Sequence, residues 1–234
     1  MNKRLDIILP GKIGDIVICL PIAKYLSDKG FDIHWALWPG ILPHFNKGHF
    51  PYVTFREIPW NDHSINNTIK YCKSKGYDIL DLSFTSMGSW NNNNTKKFRS
   101  QTKYSFDEFR YNLANVPFDE KWKLDIKRDG KREVDLFNSL ITQKYACINL
   151  QGSDTRRDIP LDNRDNLQII HVSGLTDCIF DWLLILERAE FLVCIDSAIA
   201  NIVEQLNMKN KKWFALRSNN QCTPILQNEW SIIK

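Results

Sequence analysis

The stretch from Leu5 to Leu26 constrains this chain more than any other. An apolar run (Leu5, Ile7, Ile8, Leu9) breaks at Pro10-Gly11-Lys12-Ile13-Gly14-Asp15. It resumes as Ile16-Val17-Ile18-Cys19-Leu20-Pro21-Ile22-Ala23-Lys24-Tyr25-Leu26. This order spells a strand, a tight turn and a helix. The glycines allow a left-handed backbone or the close approach of a ligand, and the free N–H groups of a helix start favour an anion, which makes Gly14 a phosphate-contact candidate. Asp15 stands at the lip of the turn and has two readings. It is a good helix N-cap, and it is also a carboxylate at the C-terminal end of a strand, where α/β sheets bind ligands and a base is of use.

The rest of the chain alternates in the same way. Phe31–Leu37, Val53–Ile58 and Tyr77–Leu82 read as strands, with a helix over Ile65–Lys75 and turn glycines at Gly30 and Gly76. Strands alternating with helices imply parallel sheets. Ser83 to Tyr104 reads as a long polar loop, because an Asn91–Asn94 run precedes Lys96, Lys97, Arg99 and Lys103. Such a loop is either a lid or a solvated excursion, and its cations, with Lys12, suit an anionic acceptor. Helices follow over Tyr104–Asn115 and Arg132–Gln143. The charged segment between them places a domain junction near residues 118–132, which divides the chain into 1–125 and 126–234.

In the second half, the strand Tyr145–Leu150 opens into Gln151-Gly152-Ser153-Asp154-Thr155-Arg156-Arg157-Asp158. The hydroxyls and guanidiniums suit phosphate, although a solvated turn of Asp–Arg pairs would carry the same letters. Leu167–Val172 reads as a strand, Thr176–Ala189 as a helix and Phe191–Ile195 as a fully apolar strand. Asp196-Ser197-Ala198 then starts a helix through Leu206, with Asp196 or Ser197 capping it or its first N–H groups facing a diphosphate. Trp213–Leu216 is a last strand, and the tail from Thr223 reads as a short helix.

The totals narrow the class. Among 234 residues, 43% are hydrophobic and 25% charged, as in an ordinary globular protein, and the formal charge of +4 is a mild bias toward phosphate-bearing ligands. The six cysteines include no C-x-x-C pair and the five histidines show no ligand spacing, so neither a disulfide framework nor a metal site is expected. Pro10, Lys12 and Asp15 interrupt what would be the apolar region of a signal peptide, and no run is long enough to span a membrane. The expected setting is the cytoplasm, without integral membrane association.

Taken together, Gly14-Asp15-Ile16-Val17 with Leu20-Pro21 and Ile22-Ala23, then Gly152-Ser153 with Thr155-Arg156-Arg157, then Cys194-Ile195-Asp196-Ser197-Ala198 ahead of a helix, resemble the bacterial heptosyltransferases of glycosyltransferase family 9. The resemblance implies an α/β GT-B-like fold, with two Rossmann-type domains whose parallel sheets face across a cleft. Residues 1–125 would bind the acceptor and a compact 126–234 the nucleotide sugar. It implies a metal-independent, inverting glycosyltransferase without a cofactor, acting on a carbohydrate or glycolipid hydroxyl. Asp15 would be the general base. Ser153, Thr155, Arg156 and Arg157, with Asp196, Ser197 and Ala198, would hold the leaving diphosphate.

The chain departs from the family pattern in three ways. Ala198 and Asn201 stand where members usually carry Gly and His. Only nine residues separate Arg157 from Leu167, where members fit a helix and a strand bearing nucleotide contacts. The chain is also shorter than typical members. Two alternatives follow: a viral-type enzyme acting on a modified DNA base, suggested by small size and the Lys96–Lys103 cluster, and a non-catalytic nucleotide- or sugar-binding module, suggested by the missing strand.

Overall fold

The computed structural model describes residues 3–59, 64–84, 92–152, 156–159, 166–216 and 224–233. Ser153 and Thr155 therefore lie outside the described residues, as does Cys222. The chain forms two compact units, Met1–Lys127 and Arg128–Lys234.

The first unit runs β1 (Lys3–Ile8), α1 (Ile13–Asp28), β2 (Phe31–Leu37), β3 (Val53–Glu57), α2 (Ser64–Ser74), β4 (Asp78–Asp81), α3 (Asn93–Arg99) and α4 (Phe106–Ala114), then a 3-10 turn at Phe118–Trp122. Its sheet has the order β3-β2-β1-β4, and every pair is parallel. α1 is buried without interruption from Ile16 to Ala23, so it is a core helix and needs no amphipathic stripe. The same core holds Ile7 and Trp35, whose indole donates to the Leu9 carbonyl at 2.9 Å.

The segment read as a polar loop contains α3. Asn92, inside the Asn run, caps this helix by accepting from the Thr95 N–H at 2.8 Å, and its own amide donates to the Ser83 carbonyl at 2.7 Å. Phe98 then packs into a ring cluster, 4.7 Å from Phe84 and 5.2 Å from Phe109 between centroids. Capping chemistry and one half-buried aromatic make a helix where composition suggested solvated chain.

The second unit runs α5 (Gly130–Leu140), β5 (Tyr145–Asn149), β6 (Gln168–His171), a 3-10 turn at Ile179–Trp182, α6 (Leu183–Arg188), β7 (Phe191–Ile195), α7 (Ala198–Gln205), β8 (Lys211–Ala215) and β9 (Ser231–Ile233). The sheet order is β6-β5-β7-β8-β9, again all parallel. The helix expected over Thr176–Ala189 is shorter and begins as a 3-10 turn, held by Arg132 on α5, which donates to Asp181 at 2.8 and 2.6 Å.

The chain end is a strand and not the expected helix. Glu204 on α7, 1% exposed, accepts from the Gln227 and Asn228 N–H groups at 2.8 and 2.7 Å, and from the Asn228 amide at 2.8 Å. This carboxylate draws residues 227–230 onto the domain and delivers β9 to the sheet edge beside β8. Among the described residues, no helix is long and apolar enough to cross a membrane, and five cysteines are buried and free.

Candidate functional site

In each unit the singled-out residues that follow a strand, among those described, lie at the C-terminal edge of the sheet, where loops rather than side-chain packing set what is presented. In the first unit, β1 ends at Ile8 and the chain turns through Gly11 into α1. Lys12 is the N-cap residue, and Asp15 occupies the third helical position, so Asp15 is not the N-cap that local pattern allowed. It closes the helix start from inside: Oδ2 accepts from the Lys12 backbone N–H at 2.9 Å. Gly14 lies within the first turn of α1.

Gly11 is required by close approach, not by backbone freedom. A Cβ at this position would lie 2.8 Å from Asp15 Oδ2 and 2.9 Å from Asp15 Cβ. Gly11→Ala is thus expected to push the carboxylate out of place and to cost about 1–3 kcal/mol of stability. Denaturant unfolding would measure it, and an unchanged midpoint would contradict the tight packing.

The second oxygen of Asp15 meets a residue that the sequence reading did not single out. Arg110 on α4 donates from Nη2 to Asp15 Oδ1 at 2.8 Å. The two sides of this pair differ in exposure: the arginine side chain is 1% exposed and the aspartate 23%. Arg110 is sheathed by rings, with its guanidinium carbon 4.2 Å from the Phe106 centroid and 5.2 Å from that of Phe84. Burial, the largest single influence, pulls the Arg110 pKa down, but Asp15 together with Cys19 and Asp107 outweighs it, so the pKa stands above the ordinary arginine value. Below the pair, burial pushes the Cys19 thiol up to about 12, which makes it an inert neighbour. A signal for Arg110 existed: Phe106, Phe109, Arg110 and Leu113 recur at i, i+3, i+4 and i+7, which puts a cation on the apolar face of a helix.

Beside this turn, Asp81 ends β4 in register with Ile8 of β1. Burial raises its pKa, and the Ser83 hydroxyl and N–H hydrogen-bonded to it pull the other way. Asn94 at the start of α3 donates to the Asp81 carbonyl at 2.8 Å. Lys96, Lys97 and Arg99 lie on the exposed side of this short helix, one aromatic layer away from the Asp15–Arg110 pair through Phe98 and Phe106.

In the second unit, β5 and β7 are neighbours with Asn149 in register with Cys194. Asn149 donates to Ser197 Oγ at 2.7 Å, tying the end of one strand to the helix start after the other. Ser197, not Asp196, is the N-cap of α7; its hydroxyl faces the Ala200 N–H at 3.5 Å. Asp196 is buried, and Ala198 is the first helical residue. Asn201, where the resembling family carries His, donates to the Ser197 carbonyl at 2.9 Å, and its buried Oδ1 has no protein partner.

The turn after β5 is closed by a bridge between Gln151 and Arg156 and by the Arg157 N–H donating to the Leu150 carbonyl at 2.9 Å. Gly152 sits inside this closure. The Arg156 side chain is 74% exposed and meets Asp158 at 3.3 Å, a surface pair too weak to hold it from another partner. The sheet thus brings Gly152, Arg156 and Arg157 to the same edge as Asp196, Ser197 and Ala198.

The sequence matches no protein-family model and no curated protein. Solved structures do match in fold. Among them, a glycosyl transferase family 9 protein from Veillonella parvula superposes with a TM-score of 0.67 at 10% identity, over 99% of this chain and 86% of that one. The E. coli ADP-heptose LPS heptosyltransferase II gives a TM-score of 0.56 at 11% identity, over 99% of this chain and 90% of that one. The iron-containing dodecameric glycosyltransferase TibC from enterotoxigenic E. coli gives 0.57 at 10% identity, over 96% of this chain and 61% of that longer chain. The likeness is one of fold: an α/β chain with two Rossmann-type parallel sheets, like the GT-B heptosyltransferases.

Proposed function

We propose that this chain is a glycosyltransferase that moves a sugar from a nucleotide-sugar donor to a hydroxyl of a carbohydrate or glycolipid acceptor, inverting the anomeric centre without a metal ion. One observation carries the reading. Asp15 is a carboxylate at a strand's C-terminal end, held on both oxygens and still partly open to solvent, on a chain with the family-9 fold. A carboxylate has about four lone-pair sites, and a base needs one of them free. The Lys12 N–H and Arg110 take one on each oxygen.

In the proposed step the acceptor hydroxyl gives its proton to Asp15 as its oxygen forms a bond to the anomeric carbon. The bond from that carbon to the diphosphate oxygen breaks, and the nucleoside diphosphate departs with the electron pair. The leaving group needs positive charge or N–H donors. Arg156, Arg157, Gly152 and the first turn of α7 behind Ser197 would supply them, joined by Ser153 and Thr155. Asp196 would act from behind, fixing the approach to α7. Lys12, Lys96, Lys97 and Arg99 are assigned to an anionic acceptor, and nothing observed favours a nucleic acid in that role.

A panel of ADP-, GDP- and UDP-sugars tests the reading. Calorimetry is expected to find one nucleotide class that binds, and that donor should release nucleoside diphosphate when acceptor glycans are added, equally with and without EDTA. Binding without release would leave a non-catalytic module, and release abolished by EDTA would remove the metal-free mechanism.

A further inference from the structure

We infer that Arg110 is a positioning residue for sugar transfer: it acts through Asp15, fixing the orientation of the carboxylate and so the direction in which its open lone pairs face the acceptor hydroxyl. This inference rests on the reading of Asp15 as the base. The first support is geometric. The two oxygens of Asp15 are pinned from independent elements, Oδ2 by the N–H of Lys12 at the start of α1 and Oδ1 by Nη2 of Arg110, a residue 95 positions away on α4. A carboxylate held at both oxygens cannot swing about its terminal torsion, so the lone pairs it leaves open keep one direction.

The second support is the asymmetry of the pair. The cation is fully buried behind the carboxylate and the carboxylate faces outward. A solvated arginine would be screened, whereas one sheathed by Phe84 and Phe106 acts on Asp15 through low-dielectric surroundings. The third is that packing does not account for Arg110. Its Nε is buried with no acceptor. Buried donors are almost always satisfied, and an apolar side chain among these rings would avoid both the orphan N–H and the desolvated charge.

The other charged and titratable groups around Arg110 do not compete for this role. On α1 the facing groups are Asp15 and Cys19, and on its own helix Asp107, whose charge is taken up by Lys121. Burial drives Cys19 up to about 12 and holds the adjacent Tyr111, whose hydroxyl donates to the Ile18 carbonyl, well above its ordinary value, so both are neutral at working pH. Asp15 is the group that Arg110 holds in place.

The test uses the full chain and the nucleotide sugar that turns over in the panel, with kcat, both KM values and the melting temperature measured for each variant. In Arg110→Gln, kcat is expected to fall on the order of ten- to a hundredfold with donor KM unchanged. Arg110→Lys keeps the charge but loses the fork, so its kcat should fall less, again with donor KM unchanged. A donor KM that rises as kcat falls, or equal losses in both variants that follow their melting temperatures, would reduce Arg110 to packing. If Arg110→Gln does not fold, Arg110→Lys decides: lowered kcat at an unchanged melting temperature supports the inference, and wild-type kcat overturns it. Asp15→Asn separates the layers, because full transfer in that variant removes the base reading itself. Its inactivity, beside an Arg110→Gln enzyme indistinguishable from wild type, removes only the role of Arg110.

Discussion

Asp15→Asn is expected to lower kcat by about 10²- to 10⁴-fold, the usual contribution of a positioned general base, while the nucleotide sugar still binds. The substitution keeps shape and one acceptor oxygen but removes the basic lone pairs and the charge. It also turns an NH2 toward one of two donors, the Lys12 N–H or Arg110 Nη2, which now hold separate oxygens at 2.9 and 2.8 Å. Some stability is therefore lost as well, and calorimetry with the donor serves as the control, since the proposed diphosphate contacts lie on α7 and the turn after β5 in the other unit. A variant that binds donor and turns over like wild type would end the base assignment. A variant that loses donor binding would show that Asp15 serves the domain's integrity before its chemistry.

The largest expected loss of stability is at Lys121. Its ammonium pairs with Asp107, and both side chains are 0% exposed. Asp107 also accepts from Ser105 Oγ at 2.5 Å and from the Glu108 N–H at 3.1 Å, so it is built into the start of α4, and Lys121 lies 4.5 Å over the Trp122 ring. Removing one member of such a pair leaves an uncompensated buried charge. Lys121→Met should therefore cost about 3–5 kcal/mol, whereas removing both charges is often close to neutral. Urea unfolding of Lys121→Met, Asp107→Asn and the double variant closes the cycle, with the double variant recovering much of the single loss. A single-variant cost below about 1 kcal/mol would mean that the pair behaves as a solvated one.

What could be read from the sequence follows the range of the forces involved. β1, β5 and β7 were legible because a fully buried strand in a parallel sheet needs an unbroken apolar run, and Ile7-Ile8-Leu9 and Phe191-Leu192-Val193-Cys194-Ile195 supply one locally. The helix starts at Asp15 and Ser197 were legible for the same reason. α3 was hidden because its cap, Asn92, lies inside a run of four asparagines and its packing partner Phe84 is distant in sequence. β9 was hidden because what orders residues 227–230 is a carboxylate on another element, Glu204. Arg110 carried a local anomaly, a cation on an apolar helix face, but its meaning depended on a partner 95 residues earlier. Strand-end positions were therefore readable, whereas the groups that hold them in place came from contacts that no local pattern encodes.

Ser197, Asn201 and Glu204 recur along α7 at the spacing of one helix face, and the two ends of that face have different duties. One end holds the strand-end network through Asn149, and the other holds the chain terminus through Asn228. α7 is thus a spacer of fixed length and phase. Adding or deleting one residue within it would rotate its ends by about 100° relative to each other. Either the Asn149–Ser197 contact or the grip on residues 227–230 would then be lost, so length variation in this unit has to fall in its loops and not in this helix.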